Sequence, residues 1–325
     1  MARLLLGLLS LSLSLSLSFS LAIPLSLSHP FSLLRSPSPS LSPSQSSQVD
    51  PSLQPFLPIE YVHVEKTGTS ILNTLMHIPG VCPLLPSNAI ISQEMGNSAT
   101  SVANWWTFAN DVATRACNSW AWDVEGGMYG RLGHYGIEKA PEGGFSAGSG
   151  RFMMIMRQPE QRMVSKWHYY TTVSDNCPLF CVRKTIGTPK DDFFSSHEGE
   201  VTKILTRNTD SRFDTRRPTR AELDEAKVRL QTGFFFVGIL EQFNLSVCLF
   251  NVMFNQTCRS LQFVNSHPTH GKESSAWDTA ELNGWRDSYD NELYDIAKKM
   301  FEANLKKYNV SDTSCEPCFR EAGLL

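Results

Sequence analysis

The sequence predicts a three-layer α/β domain built on a central, mostly parallel sheet. Short runs rich in apolar residues at positions 59–64, 152–156 and 234–240 read as strands, the last two apolar enough to be buried on both faces. Each run is followed by a segment whose apolar residues recur at helical spacing, and this alternation of strand and helix is the mark of an α/β sheet. The length of 325 residues allows one large or two modest domains, and 41% hydrophobic content is ordinary for a globular core.

The first 57 residues stand apart from that domain. Residues 4–23 carry no charge, Leu and Ser alternate over residues 11–18, and no acidic residue precedes Asp50. Three readings stay open: a cleaved secretory signal, an uncleaved signal anchor, or a Ser-rich, acid-poor organellar transit peptide. Arg3 before the apolar run favours the first two. The run is about long enough to cross a bilayer before Pro24 closes it, so an uncleaved segment would bring the chain to a membrane. Residues 1–35 are assigned to the signal peptide or anchor, residues 36–57 to a Pro/Ser-rich stem or linker, and residues 58–325 to the folded domain.

Eight cysteines form an even set compatible with disulfides in an oxidising lumen, with no pairing fixed by their order. Cys315 and Cys318 have the spacing of half a zinc site, but no second ligand pair follows, so a disulfide or free thiols is the preferred reading. Sequons at Asn244, Asn255 and Asn309 fit a lumenal chain, the first two falling in an expected helix. Net charge is −3, or −5 without Arg3 and Arg35, which argues against generic nucleic-acid binding. Locally, Arg207, Arg212, Arg216, Arg217 and Arg220 crowd one stretch; it reads first as a solvated loop and second as a cleft wall for an anionic acceptor.

The strand at residues 59–64 leads into Glu65-Lys66-Thr67-Gly68-Thr69-Ser70 and then a helix with Ile71, Leu72, Leu75 and Met76 on one face, stopped by Pro79-Gly80. Such a turn aims backbone N–H groups, an ammonium and three hydroxyls at one point, which suits a phosphate or sulfate. It is not a Walker loop, because the glycines required upstream of the lysine are missing and Glu65 stands directly before it. Further on, residues 87–123 are polar and aromatic, and Trp105, Trp106, Trp120 and Trp122 pack the core or line a cleft. Residues 126–150 are glycine-rich and include Gly133-His134-Tyr135-Gly136.

The run Phe152-Met153-Met154-Ile155-Met156 ends in Arg157-Gln158-Pro159, and residues 160–170 are helical with Met163, Val164, Trp167 and Tyr170 on one side. Arg157 therefore sits at the carboxyl end of a strand, where open α/β sheets bind ligands, and Ser165 lies in the following helix. Residues 183–220 read mostly as loop. Thr219 and Glu222 make a capping box for a helix through residue 231, with Leu223, Ala226 and Leu230 inward. A strand at 234–240, a helix from Glu241 to about residue 254 and a last helix over about 288–307 complete the chain.

Two of these motifs carry a family resemblance. His63-Val64-Glu65-Lys66-Thr67-Gly68-Thr69-Ser70 resembles the 5′-phosphosulfate loop of Golgi-type carbohydrate sulfotransferases, roughly His-x-x-Lys-Thr-Gly-Gly/Thr-Thr/Ser. Arg157 to Trp167 resembles the family's 3′-phosphate motif, Arg-Asp-Pro-x-x-Arg-x-x-Ser-x-Tyr, with Gln158 in place of the Asp and Trp167 in place of the Tyr. Phe236 to Phe243 and Leu293-Tyr294 are softer matches. The resemblance is to the heparan sulfate 2-O- and 6-O-sulfotransferase-like branch and covers about residues 58–306. It implies a P-loop-like fold and a reaction moving sulfate from 3′-phosphoadenylyl sulfate to a carbohydrate hydroxyl, with no metal. Lys66, Thr67, Gly68, Thr69 and Ser70 would then hold the 5′ side, with Lys66 stabilising the leaving group, while Arg157 and Ser165 hold the 3′-phosphate. Gly133-His134 resembles the segment that supplies the catalytic base, making His134 the expected base and Glu94 its rival. A Golgi membrane location with a lumenal domain follows from the same likeness, secreted or plastid being the alternatives. The Gln158 departure bears on the geometry of its loop.

Overall fold

A computed structural model describes residues 50–91, 101–103, 113–119, 134–139, 143–172, 189–265 and 276–325. These form a mixed α/β structure with a small parallel sheet. Its strands and helices run in the order β1 (Glu60–Tyr61), α1 (Ile71–Met76), β2 (Ile90–Ile91), β3 (Ser101–Ala103), α2 (Ala113–Ala116), α3 (Gly144–Gly148), β4 (Phe152–Met156), α4 (Pro159–Thr172), α5 (Lys190–Ser196), α6 (Glu200–Thr206), α7 (Arg220–Gly233), β5 (Phe234–Ile239), α8 (Phe243–Met253), α9 (Asp290–Lys307) and α10 (Asp312–Glu321).

The three segments expected to share a sheet do so. Strand β4 is central, parallel to β1 with Glu60 opposite Phe152, and parallel to β5 with Met156 opposite Ile239. All five residues of β4 are buried, which is why the run carries no polar residue. Strands β2 and β3 pair separately, also in parallel. The main core gathers on the three-stranded sheet from α1, α7, α8 and α9 through Leu72, Leu75, Leu230, Phe250 and Phe301. A smaller cluster joins Met163, Val164 and Tyr170 of α4 to Phe193 and Phe194 of α5 and to Trp277 and Leu282.

Strand β1 is shorter than the expected 59–64. Glu60 and Val62 donate to the carbonyls of Arg151 and Met153, both at 2.9 Å, and beyond Val62 the chain leaves the ladder. A second correction concerns residues 183–220, where α5 and α6 occupy much of what reads as loop. Their inward residues include Glu200, Thr202 and Lys203 as well as Val201, Ile204 and Leu205, so the buried face does not look apolar. The capping box at Thr219 forms as expected: its hydroxyl accepts from Glu222 N–H at 3.2 Å, and Thr219 N–H donates to the Glu222 carboxylate at 2.7 Å. Residues 240–242 form a 3-10 turn before α8, so that helix starts at Phe243 rather than Glu241.

The C-terminal helix α10 was not expected. It carries Cys315 and Cys318 three residues apart, hence on one side, and they bond to Cys248 of α8 and to Cys258 after it. That pairing answers the zinc alternative for these two cysteines. A third bridge joins Cys82 to Cys117, and Cys177 and Cys181 lie outside the described residues. The three disulfides are compatible with a secretory or lumenal environment. Among the described residues no helix is long and apolar enough to cross a membrane. Asn244 lies on α8, whereas Asn255 stands beyond its end at φ +50°, outside the helix expected to hold it.

Candidate functional site

Past Val62 the backbone of β1 bends away from β4, and the Val64 carbonyl is met by the Thr67 hydroxyl at 2.9 Å instead of by a neighbouring strand. The turn is strained by design of its sequence. Lys66 adopts φ +63°, a conformation that costs a non-glycine residue about 1–3 kcal/mol. Gly68 sits at φ +101°, where a Cβ would also stand 2.7 Å from Leu240 Cδ1, so glycine alone fits. The N–H groups of Thr67, Gly68 and Thr69 donate to no described residue, leaving three donors gathered on one turn. The Thr69 hydroxyl lies 3.2 Å from His63 Nε2, and Ser70 is buried at the start of α1.

Lys66 Nζ rests 4.5 Å from the centre of the Tyr169 ring, and among the described residues no carboxylate pairs with it. Burial first, and then the Arg157 guanidinium, lower its pKa to about 8, with Glu65 opposing. An ammonium held this way gains from an anion. A bound phosphate is therefore expected to raise the Lys66 pKa above 8, with two consequences. A phosphate-bearing ligand held there should take up a proton on binding near pH 8 and lose affinity as pH rises past that value, whereas a site without Lys66 would show neither effect in calorimetry run in buffers of different ionisation enthalpy.

Arg157 projects from the carboxyl end of β4 and is 7% exposed. Its Nη1 donates to the Lys66 carbonyl at 3.3 Å, so two motifs 91 residues apart touch at the ends of adjacent parallel strands. Burial lowers its pKa to about 10, opposed by Glu241. Gln158 Oε1 accepts from Gln161 N–H at 2.7 Å and so caps the first turn of α4. Gln158 N–H in turn donates to Glu241 at 2.9 Å, and the Tyr294 hydroxyl donates to the other oxygen of the same carboxylate at 3.0 Å. The two softer motifs thus hold the Arg157 loop. Ser165 is buried on α4 and its hydroxyl bonds to no described residue.

His134 is 8% exposed and is placed by backbone pairing rather than by a helix or strand of its own. Tyr135 bridges Asp210, Ser211 N–H donates to the His134 carbonyl and Gly136 N–H to the Thr209 carbonyl, both at 2.9 Å. A Cβ on Gly136 would fall 1.7 Å from the Arg207 carbonyl oxygen, which explains the glycine there. The His134 ring centre lies 4.5 Å from that of His63, and its Nε2 is 3.6 Å from Glu65 Oε1. The structure therefore brings His134 beside the turn that carries Lys66. Glu94, its rival, lies outside the described residues, as do Trp105, Trp106, Trp120 and Trp122.

Beneath these groups runs a buried ion network that the sequence reading missed. Lys166 Nζ lies 2.7 Å from Glu65 and 2.8 Å from Glu200. Arg162 reaches Glu200 at 2.5 Å and Asp290 at 3.2 Å, and Asp290 also accepts from the N–H groups of Val201 and Thr202. Arg162 is part of the phosphate-motif pattern, yet its role here is to anchor α4 to α6 and α9. The arginines of the 207–220 stretch are each paired with a carboxylate. Arg207 and Arg216 pair with Asp214, Arg212 with Asp210, Arg217 with Glu198 and Arg220 with Glu292.

Comparison with protein-family models, curated proteins and solved structures gave no match. The chemistry therefore rests on the geometry: an ammonium and three N–H donors that meet no carboxylate or acceptor among the described residues, a buried guanidinium and a buried imidazole, collected at the carboxyl ends of two parallel strands.

Proposed function

We propose that the protein is a sulfotransferase that moves a sulfuryl group from 3′-phosphoadenylyl sulfate to a carbohydrate hydroxyl, on a three-layer, P-loop-like sulfotransferase fold. The observation that supports this reading most is the contact of Arg157 with the Lys66 carbonyl, which sets side by side the turn assigned here to the 5′-phosphate and the arginine assigned here to the 3′-phosphate. Sulfuryl transfer places growing negative charge on the departing 5′-phosphate. Lys66 and the N–H groups of Thr67, Gly68 and Thr69 supply positive charge and donors for it without reorganising. Arg157 grips the 3′-phosphate through its planar fork and Ser165 adds a hydroxyl. Ser70 completes the turn.

His134 serves as base. A neutral imidazole is suited to taking a hydroxyl proton near pH 7, and burial, the first influence on its pKa, lowers it and so keeps the ring neutral. The disulfides favour a lumenal site of action, which in a membrane-anchored chain is the Golgi lumen.

Calorimetric titration with adenosine 3′,5′-bisphosphate and with ATP tests the nucleotide, and transfer of sulfate onto a panel of anionic and neutral glycans tests the reaction. Preference for the bisphosphate with transfer to a glycan is expected. Preference for ATP would make the site a kinase-like one, and bisphosphate binding without transfer to any glycan would leave a binding protein.

A further inference from the structure

Glu65 falls at an unspecified position of the phosphate-loop pattern, yet three side chains from two separate parts of the chain converge on it. From α4, Lys166 Nζ lies 2.7 Å from its Oε2 and the Tyr170 hydroxyl donates to its Oε1 at 2.8 Å. His134 Nε2 approaches that same Oε1 at 3.6 Å. On the opposite side of the imidazole, Nδ1 is 3.2 Å from the His63 carbonyl oxygen. A carbonyl only accepts, so Nδ1 carries the hydrogen and Nε2 is the basic nitrogen. At 3.6 Å that nitrogen is not hydrogen-bonded to the carboxylate and keeps its lone pair, while a proton gained there would stand beside a fixed negative charge.

We propose that Glu65 is a positioning residue for His134, its anchored carboxylate stabilising the imidazolium that forms when His134 takes the proton of the acceptor hydroxyl. The inference rests on the sulfotransferase reading. In that step the acceptor O–H bond breaks and its proton goes to Nε2. The freed oxygen pair forms a bond to sulfur as the bond from sulfur to the 5′-phosphate oxygen breaks, its electrons staying on the departing bisphosphate.

The charges around the ring support the assignment. Burial presses the Glu65 carboxyl towards neutrality, but Lys166, then His134 and Arg212, hold it well below the ordinary carboxylate range. For His134, burial lowers the pKa and Glu65 is the largest opposing influence; Arg212 lowers it further, and Asp210 and Glu200 raise it. Glu65 lies within 4 Å of the imidazole, and Lys166 and Tyr170 fix its orientation.

An NMR titration of the His134 imidazole, its resonance identified with His134→Gln, reads the coupling without any need for activity. In Glu65→Gln the His134 pKa is expected to fall by about 1–3 units, the effect of an opposite charge at this range, and Glu65→Asp should fall between that variant and wild type. Because the base acts when neutral, the acidic limb of the kcat/KM profile for sulfate transfer should move to lower pH by the same interval. An unchanged His134 pKa in a folded Glu65→Gln protein overturns the proposal. Should that variant fail to fold, an unchanged pKa in Glu65→Asp overturns it equally. A shifted pKa in a protein that transfers no sulfate upholds the Glu65 to His134 coupling and removes the sulfotransferase reading; transfer with no shift removes the coupling alone.

Discussion

His134→Ala is expected to reduce sulfate-transfer turnover about 10²–10⁴-fold, the usual contribution of a positioned base, while the affinity for adenosine 3′,5′-bisphosphate stays near wild type. The separation follows from the site's layout. His134 stands on a segment paired to residues 209–211, whereas the groups proposed to bind phosphate belong to the Lys66 turn, the end of β4 and α4. Steady-state kinetics together with calorimetry on one preparation distinguish the outcomes. Normal turnover in this variant removes His134 as base. If Glu94→Gln were then inactive with the bisphosphate still bound, the role would pass to the glutamate.

Glu200→Ala should have the largest effect on stability, a loss of about 3–5 kcal/mol, as for the removal of one partner from a buried ion network. Glu200 is fully buried and accepts from Arg162 at 2.5 Å, from Lys166 at 2.8 and 2.9 Å and from the Ser211 hydroxyl at 3.1 Å. Without it, among the described residues, Lys166 keeps only the Glu65 carboxylate and Arg162 only that of Asp290, both cations remaining out of water. Urea unfolding of the oxidised protein measures the loss. A change within about 0.5 kcal/mol, the size expected of a surface substitution, would show that the network contributes no net stability.

Much of the frame is legible in the sequence because burial on both faces leaves nothing ambiguous. Phe152–Met156 has no polar residue and forms the strand expected of it, and Phe234–Ile239 pairs beside it. The Thr219 capping box is a local signal and forms as a local structure. What fails to read from sequence is what tertiary charge pairing disguises. Helix α6 hides behind Glu200 and Lys203, two charged residues on its buried face, and α10 behind Pro317 and the cysteine pair, although Ser311 and Ser314 were a capping signal.

The candidate site divides along the same line. Lys66, Gly68 and Arg157 are legible in short motifs, because a strand-to-helix turn and a strand-end arginine are local arrangements. Glu65, Tyr169, Lys166 and Glu241 acquire theirs only when distant segments meet: Tyr169 under the Lys66 ammonium, Lys166 between Glu65 and Glu200, and Glu241 on Gln158 and Tyr294. Spacing along the chain holds no trace of such contacts. At position 65 the only sequence signal is a negative one, a glutamate where a Walker loop needs glycine.

Whether the Lys66 turn and Arg157 form one nucleotide site is tested most directly by calorimetric titration of wild type and Arg157→Ala with adenosine 3′,5′-bisphosphate and with adenosine 5′-monophosphate. The two ligands differ only in the group assigned to Arg157. A charge-assisted hydrogen bond contributes about 1.5–3 kcal/mol, so the variant should bind the bisphosphate roughly ten- to a hundredfold more weakly while its affinity for the monophosphate is nearly unchanged. Equal weakening of both ligands, or a wild-type protein that binds the bisphosphate no more tightly than the monophosphate, would contradict the assignment.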